Sequence, residues 1–160
     1  MNGTAIQTQN LTRTFGEIRA VDGLNLEIPS GIVFGFLGPN GSGKTTTIRL
    51  LLGLLEPTAG SAEVLGHPIP GRADAVRERS GALLEHSGLY ERLSAEDNLE
   101  FFGRIYRMPA AQRRERTWEL LTSLGLWERR EEPVANWSRG MRQKLAVARA
   151  LLHRPSLLFL

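Results

Sequence analysis

Gly38-Pro39-Asn40-Gly41-Ser42-Gly43-Lys44-Thr45 decides how the rest of this chain is read. The stretch fits G-x-x-x-x-G-K-[ST], and phosphate chemistry explains its composition. Small residues let successive backbone N–H groups turn inward around a polyphosphate, making a nest at a helix N-terminus. Lys44 places a compact ammonium against the outer phosphates, and the Thr45 hydroxyl is a ligand for Mg²⁺. The lysine is informative here, because only Lys44 and Lys144 among the 20 Lys+Arg residues are not arginine. A planar guanidinium cannot take the place of a point charge inside so narrow a loop. Context agrees. Ile32-Val33-Phe34-Gly35-Phe36-Leu37 is a continuous apolar run, expected to be a strand buried on both faces, and 45–55 reads as an apolar helix. The bland alternative is a glycine-rich turn with an accidental lysine, which requires motif and context to coincide.

Upstream of the loop, Ile6 lies in a short alternating strand and Leu24 to Ile28 alternates again, with Pro29-Ser30-Gly31 as a turn. Downstream, Glu56 to Gly60 breaks the helix and Ser61 to Leu65 suggests another strand. From about Ser94 the pattern turns helical. Ser94 and Asp97 form a capping box, and Leu99, Phe102 and Tyr106 share a helix face. A second helix starts near Pro109, with Trp118, Leu121 and Leu124 roughly on one side. Trp118 and Trp127 read as core. A third helix spans about 139–152, Pro155 ends it, and Ser156 to Leu160 opens a buried strand. A chain that stops in mid-strand reads as truncated.

Composition narrows the class. The chain has 160 residues, 41% hydrophobic and 23% charged, which fits one ordinary domain with a core of its own. A net charge of +3 is too small to make nucleic acid the default partner, and Arg113-Arg114-Glu115-Arg116 reads as a solvated helix face. The absence of cysteine excludes a disulfide scaffold, a thiolate zinc site and a Cys nucleophile. His67, His86 and His153 show no metal-ligand spacing, and His86 reads as a surface residue. Met1-Asn2-Gly3-Thr4 has neither a basic nor an apolar leader region. The longest apolar run is about a third of a membrane span, so a cytosolic chain is expected, linked to a membrane only through a partner.

A second motif gives a family resemblance. Trp137-Ser138-Arg139-Gly140-Met141-Arg142-Gln143, followed by Lys144-Leu145-Ala146-Val147-Ala148-Arg149-Ala150-Leu151-Leu152, resembles the signature and following helix of ABC transporter ATP-binding subunits. That family usually carries Leu-Ser-Gly-Gly-Gln there, so Arg139 replaces its first glycine while Gly140 is kept. Ser138 is a good N-cap, and the helix start offers N–H groups to an anion. Taken alone, the heptad also fits an ordinary capped helix. The resemblance implies that Ser138, Arg139, Gly140 and Met141 contact ATP held by a second ATP-binding subunit in a head-to-tail dimer. It implies ATP and Mg²⁺ as cofactors, with Gly38, Pro39, Asn40, Gly41, Ser42, Gly43, Lys44, Thr45 and Thr46 on the phosphates.

Two further positions are carried by resemblance. Ser80-Gly81-Ala82-Leu83-Leu84-Glu85 looks like the strand entering the family's Q-loop, with Glu85 where glutamine is usual. There it would ligate Mg²⁺ beside Thr45 and couple to the membrane subunit; the alternative is an exposed loop carboxylate. Thr12-Arg13-Thr14-Phe15-Gly16 looks like the A-loop, where Phe15 would stack on adenine, a role that needs only a π-face. The alternative for Phe15 is a core aromatic.

The implied fold is an α/β P-loop NTPase, with a mixed sheet around the P-loop helix and an inserted helical subdomain. Residues 1–93 would be the catalytic core, 94–137 the helical arm docking on a transmembrane permease subunit, and 138–160 the signature helix and the start of the next strand. In the family that strand ends in Asp-Glu, the metal-organising acid and the general base, neither of which is among these residues. Lys44 and Glu85 are then the catalytic groups within the chain. The implied function is powering export by an ABC transporter of the drug, antibiotic and polysaccharide branch, on the inner face of the cell membrane. Carriers of that branch resemblance are 45–49, 53–60 and 95–99. Two other readings are a non-hydrolysing nucleotide-binding module or remnant, and a soluble ABC-type ATPase of translation or DNA repair.

Overall fold

The computed structural model describes residues 3–160; Met1 and Asn2, read above for leader character, lie outside the described residues. The chain divides into two compact units, one ending at Ser80 and one spanning Gly81–Leu160.

The first unit is built on a long hairpin. Strand β1 (Thr4–Phe15) pairs antiparallel with β2 (Ile18–Pro29), Phe15 facing Ile18 across a turn at Gly16 and Glu17. Helix α1 (Lys44–Leu51) follows. Strand β3 (Ala59–Val64) returns antiparallel on the other side of β1, Ile6 facing Val64, and β4 (His67–Ile69) completes the order β2-β1-β3-β4. Ile6, Thr8, Leu11, Val21, Ala62 and Val64 are buried. Helix α1 contributes Thr47, Leu50 and Leu51 to that core and contacts β2 and β3. A short helix α2 (Ala73–Arg79), which the sequence pattern did not suggest, buries Ala73 and Val76 and packs on β4. Helix α1 stops short of the expected Leu55. The N–H groups of Leu54 and Leu55 both turn back to the Arg49 carbonyl around Gly53, whose φ is 62°, and the helix ends at Leu51.

The buried strand expected at 32–37 is not formed. Ile32, Val33, Phe34 and Leu37 are 53%, 101%, 46% and 92% exposed, and the segment has no ladder partner among the described residues. An apolar run becomes a doubly buried strand only when strands flank both of its edges and other layers cover both faces. Neither condition is met here, so composition alone misled.

The second unit is mainly helical. Strand β5 (Ser80–Ala82) pairs with β6 (Leu157–Phe159), and Leu83 N–H extends the pairing to the Phe159 carbonyl at 2.9 Å. Helix α3 (Ala95–Ile105) starts at the expected cap. Ser94 Oγ accepts from Asp97 N–H at 3.0 Å and donates to the Asp97 carboxylate at 2.7 Å. Helix α4 (Ala110–Ser123) runs against α3 at Gly103, which leaves room for the Arg113 stem. Arg113 forks onto Glu100 at 2.8 and 2.9 Å, and this hydrogen bonding, reinforced by Arg104, holds the Glu100 pKa down at about 2 against the opposing effect of burial. Helix α5 (Arg139–Leu151) closes a core of Leu99, Leu121, Leu126, Val134, Trp137, Leu145 and Leu152. Trp127 packs partly buried against this core, with Arg130 over its ring, whereas Trp118, expected inside, is 54% exposed. The buried face of α4 is Thr117, Leu120 and Leu121, and Trp118 lies a quarter-turn off it. No helix among the described residues is long and apolar enough to cross a membrane.

Candidate functional site

Positive backbone angles shape the loop at 38–45. Gly41 has φ 82° and Gly43 has φ 86°, left-handed values that only glycine adopts without penalty. Gly43 is the cap of α1, and the first bond into the helix is donated by Thr47 N–H to the Gly43 carbonyl at 2.8 Å. The N–H groups of Lys44, Thr45 and Thr46 therefore stand at the open end of the helix, where they can serve an anion. The Thr47 hydroxyl donates to the same Gly43 carbonyl at 3.0 Å, fixing the first turn. No acidic residue lies in that turn to compete for the positive end of the helix.

Lys44 folds back over the loop. Its Nζ donates to the carbonyls of Gly38 and Pro39, both at 2.7 Å, so the ammonium is held over the concave side by acceptors that phosphate oxygens can replace. Ser42 N–H donates to the Pro39 carbonyl at 3.3 Å and closes the turn. A Cβ on Gly38 would lie 2.6 Å from Ser42 Oγ. Asn40, Gly41 and Ser42 are exposed, while Gly43 to Thr46 are half-buried. The Thr45 hydroxyl, one turn-position inside the helix, is a hard oxygen donor of the kind Mg²⁺ prefers beside phosphate. No group of three or more His, Cys, Asp or Glu able to hold a metal exists among the described residues. These residues fit a Mg²⁺ carried on a phosphate and contacted by one or two protein oxygens.

The sequence reading missed Ala20. A Cβ on Gly43 would lie 2.2 Å from the Ala20 carbonyl oxygen, so the loop's last glycine is pressed onto β2. That contact is purely backbone and leaves no side-chain signature. It also places Phe15, since Phe15 faces Ile18, two residues before Ala20 on the same strand, a separation of about 7 Å. Phe15 is 43% exposed and not a core aromatic. Arg13 lays its guanidinium 4.5 Å from the ring centroid, and its Nη1 donates to the Glu56 carbonyl at 2.9 Å. Residues two apart on a strand share a face, so the Arg13–Phe15 pairing was available from spacing alone.

In the second unit, Ser138 caps α5 as expected, its Oγ accepting from Met141 N–H at 3.3 Å. Ser138, Arg139 and Gly140 are exposed, Met141 is half-buried, and a side chain on Gly140 would meet open space. Trp137, the residue before this cap, is buried. Glu85 and His86 are exposed in a bend three residues beyond β5.

Comparison with known proteins gives the family of the chain. The family model described as ABC transporter matches residues 21–160. The daunorubicin/doxorubicin resistance ATP-binding protein of Streptomyces peucetius is 42% identical over 98% of this chain and 47% of its own length. The bacitracin transport ATP-binding protein of Bacillus licheniformis is 40% identical over 98% of this chain and 50% of its own. The chain thus spans about half the length of the curated relatives it matches. A solved structure described as an ATP binding subunit of ABC transporter aligns over 97% of this chain and 65% of its own, with TM-score 0.87 and 27% identity.

Proposed function

The chain belongs to the ABC transporter family, whose fold is that of the P-loop NTPases, and on that premise we propose that it supplies the ATP-binding site of a subunit that powers export through a membrane permease. The observation that carries this reading is the loop at 38–45: two left-handed glycines, an open helix start and Lys44 curled over the concave side. Relatives named for daunorubicin/doxorubicin resistance and bacitracin transport support export as the direction.

In this reading Gly38 to Thr46 wrap the phosphates, the Thr45 hydroxyl meets Mg²⁺, and Phe15 offers a face to adenine. When bound, Mg²⁺ neutralises charge on the outer phosphates. Glu85 is proposed as a further oxygen ligand, and Lys44 as the residue that stabilises charge developing on the terminal phosphate. Ser138, Arg139, Gly140 and Met141 are proposed to contact ATP held by a second copy, with 94–137 as the arm that meets the permease and 1–93 as the catalytic core. The protein would then sit at the inner membrane face without entering it. The 160 residues are proposed to bind nucleotide without turning it over, since none of them is assigned the role of general base.

The test is nucleotide titration of the chain and two variants. Lys44→Ala should remove most ATP affinity. Ser138→Arg should leave monomer affinity nearly intact and block ATP-driven pairing. Equal loss of monomer affinity in both variants would refute the signature assignment. Steady ATP turnover by the chain that vanishes in Lys44→Ala would overturn the non-hydrolysing reading. The export reading fails if the full-length protein with its permease drives no ATP-dependent efflux.

A further inference from the structure

Phe15 ends β1, where packing does little to hold a ring. Its cross-strand neighbour Ile18 is 72% exposed, and the chain turns away at Gly16 with φ 57°. The backbone beneath is firmly tied all the same. Thr58 N–H donates to the Thr12 carbonyl at 2.8 Å, Thr14 N–H donates to Thr58 Oγ at 3.1 Å, and the Thr12 hydroxyl accepts from Gly23 N–H at 3.0 Å. These bonds fix the strand and leave both side-chain torsions of Phe15 open.

Arg13 is the residue that meets the ring. It forms no ion pair among the described residues, so its charge is left to the ring and to backbone. Its Nε is buried without a hydrogen-bond partner, a costly arrangement that hydrogen bonding alone would not choose. Nη1 is anchored on the Glu56 carbonyl, in the turn that follows α1, while the guanidinium carbon lies over the Phe15 ring. Arg13 thus joins the ring to the segment that leaves the phosphate-loop helix. With one face covered, Phe15 is still 43% exposed, and the open area lies on its other face and its edges.

We propose that Arg13 is a positioning residue for the adenine platform: anchored on Glu56, it covers one face of Phe15, fixes the angle of the ring and leaves the opposite face to the base. A guanidinium suits this task. Its plane packs on the ring while its fork keeps an N–H for the carbonyl, contacts that an ammonium cannot make together. Without Arg13 the ring must be ordered as the base arrives, and that loss of freedom weakens binding. The proposal rests on the role given above to Phe15.

The test compares ATP with tripolyphosphate, which carries the phosphates without the base, by isothermal titration calorimetry in the presence of Mg²⁺. Arg13→Met keeps an unbranched stem and removes the guanidinium. It should weaken ATP roughly two- to five-fold, the usual strength of one cation–π contact at a partly exposed site, and leave tripolyphosphate affinity unchanged. Arg13→Lys, which keeps the charge, should fall between parent and Arg13→Met. Added to Phe15→Ala, Arg13→Met should weaken ATP no further, because the ring it positions is gone. Equal weakening of both ligands makes Arg13 a charge on the phosphates or a prop of the fold, and overturns the proposal. An unchanged ATP affinity in Arg13→Met, or an additive loss in the double variant, does the same. If Arg13→Met does not fold, Arg13→Lys alone and on Phe15→Ala carries the comparison. Loss of ATP affinity in Phe15→Ala without loss in Arg13→Met refutes this proposal alone. If Phe15→Ala binds ATP as the parent does, or the parent binds neither ligand, the nucleotide reading of Phe15 or of the loop has failed and the role of Arg13 falls with it.

Discussion

Alanine at Gly43 should damage the loop far more than alanine at Gly41, although the two glycines have nearly equal φ, 86° and 82°. Both substitutions force a Cβ into the left-handed region, which costs about 1–2 kcal/mol. At Gly41 nothing lies within 4 Å of the new carbon, so that term stands alone. At about 1.4 kcal/mol per factor of ten, ATP affinity should fall roughly 5- to 30-fold. At Gly43 the carbon would lie 2.2 Å from the Ala20 carbonyl, where anything under 3.0 Å forces a shift. The obstacle is backbone, which cannot rotate aside, so loop and strand must separate by close to an ångström. The start of α1 would move with them, because two Thr47 bonds end on the Gly43 carbonyl. Overpacking of this kind adds about 1–3 kcal/mol. The combined loss of about 2–5 kcal/mol is roughly 30- to 4,000-fold in affinity, converted at that same rate. Titration of a fluorescent ATP analogue into each variant, with thermal unfolding run in parallel, measures the difference. Equal affinities for the two variants would show that the Gly43–Ala20 contact does not shape the loop.

Phe15→Ala should weaken ATP binding by about 1–3 kcal/mol, the worth of one stacked base, and Phe15→Trp should restore it; an unaltered affinity in the alanine variant argues against the adenine platform. Glu100 has its pKa lowered from 4.5 to about 2 in the fold, so its ion pair contributes stability above about pH 4.5 that is lost as pH falls toward 2. Acid unfolding of Glu100→Gln, followed by circular dichroism, should show less pH dependence across that window than the parent. Leu121 is fully buried, and Leu121→Ala should cost about 2–5 kcal/mol in denaturant unfolding.

What could be read in advance was whatever the chemistry writes into adjacent residues. The loop from Gly38 to Thr45, the caps at Ser94 and Ser138 and the extent of α5 are local patterns, and each is found where the spacing placed it. What escaped was set by distant neighbours. The run at 32–37 has a strand's composition, but a strand also needs partners, which no short window contains. Helix α2 is short and weakly patterned, held through Ala73 and Val76 against β4. Trp118 followed its size inward in the reading and its helical phase outward in the fold. Ala20 and Arg13 act on backbone atoms across long stretches of sequence, and nothing in their own surroundings announces it.

The open segment at 32–37 also governs how the protein behaves in the tube. Six consecutive residues carry neither charge nor proline, and most of their side chains face solvent. Such a stretch is a template for cross-β stacking between copies. Precipitation should set in with rising concentration and be relieved by a charge at the fully exposed Val33, as in Val33→Lys. The same segment has no ladder to shield its peptide bonds, so chymotrypsin should make its first cut after Phe34, Phe36 or Leu37. That nick would sever β1 and β2 from the phosphate loop while leaving each sequence whole.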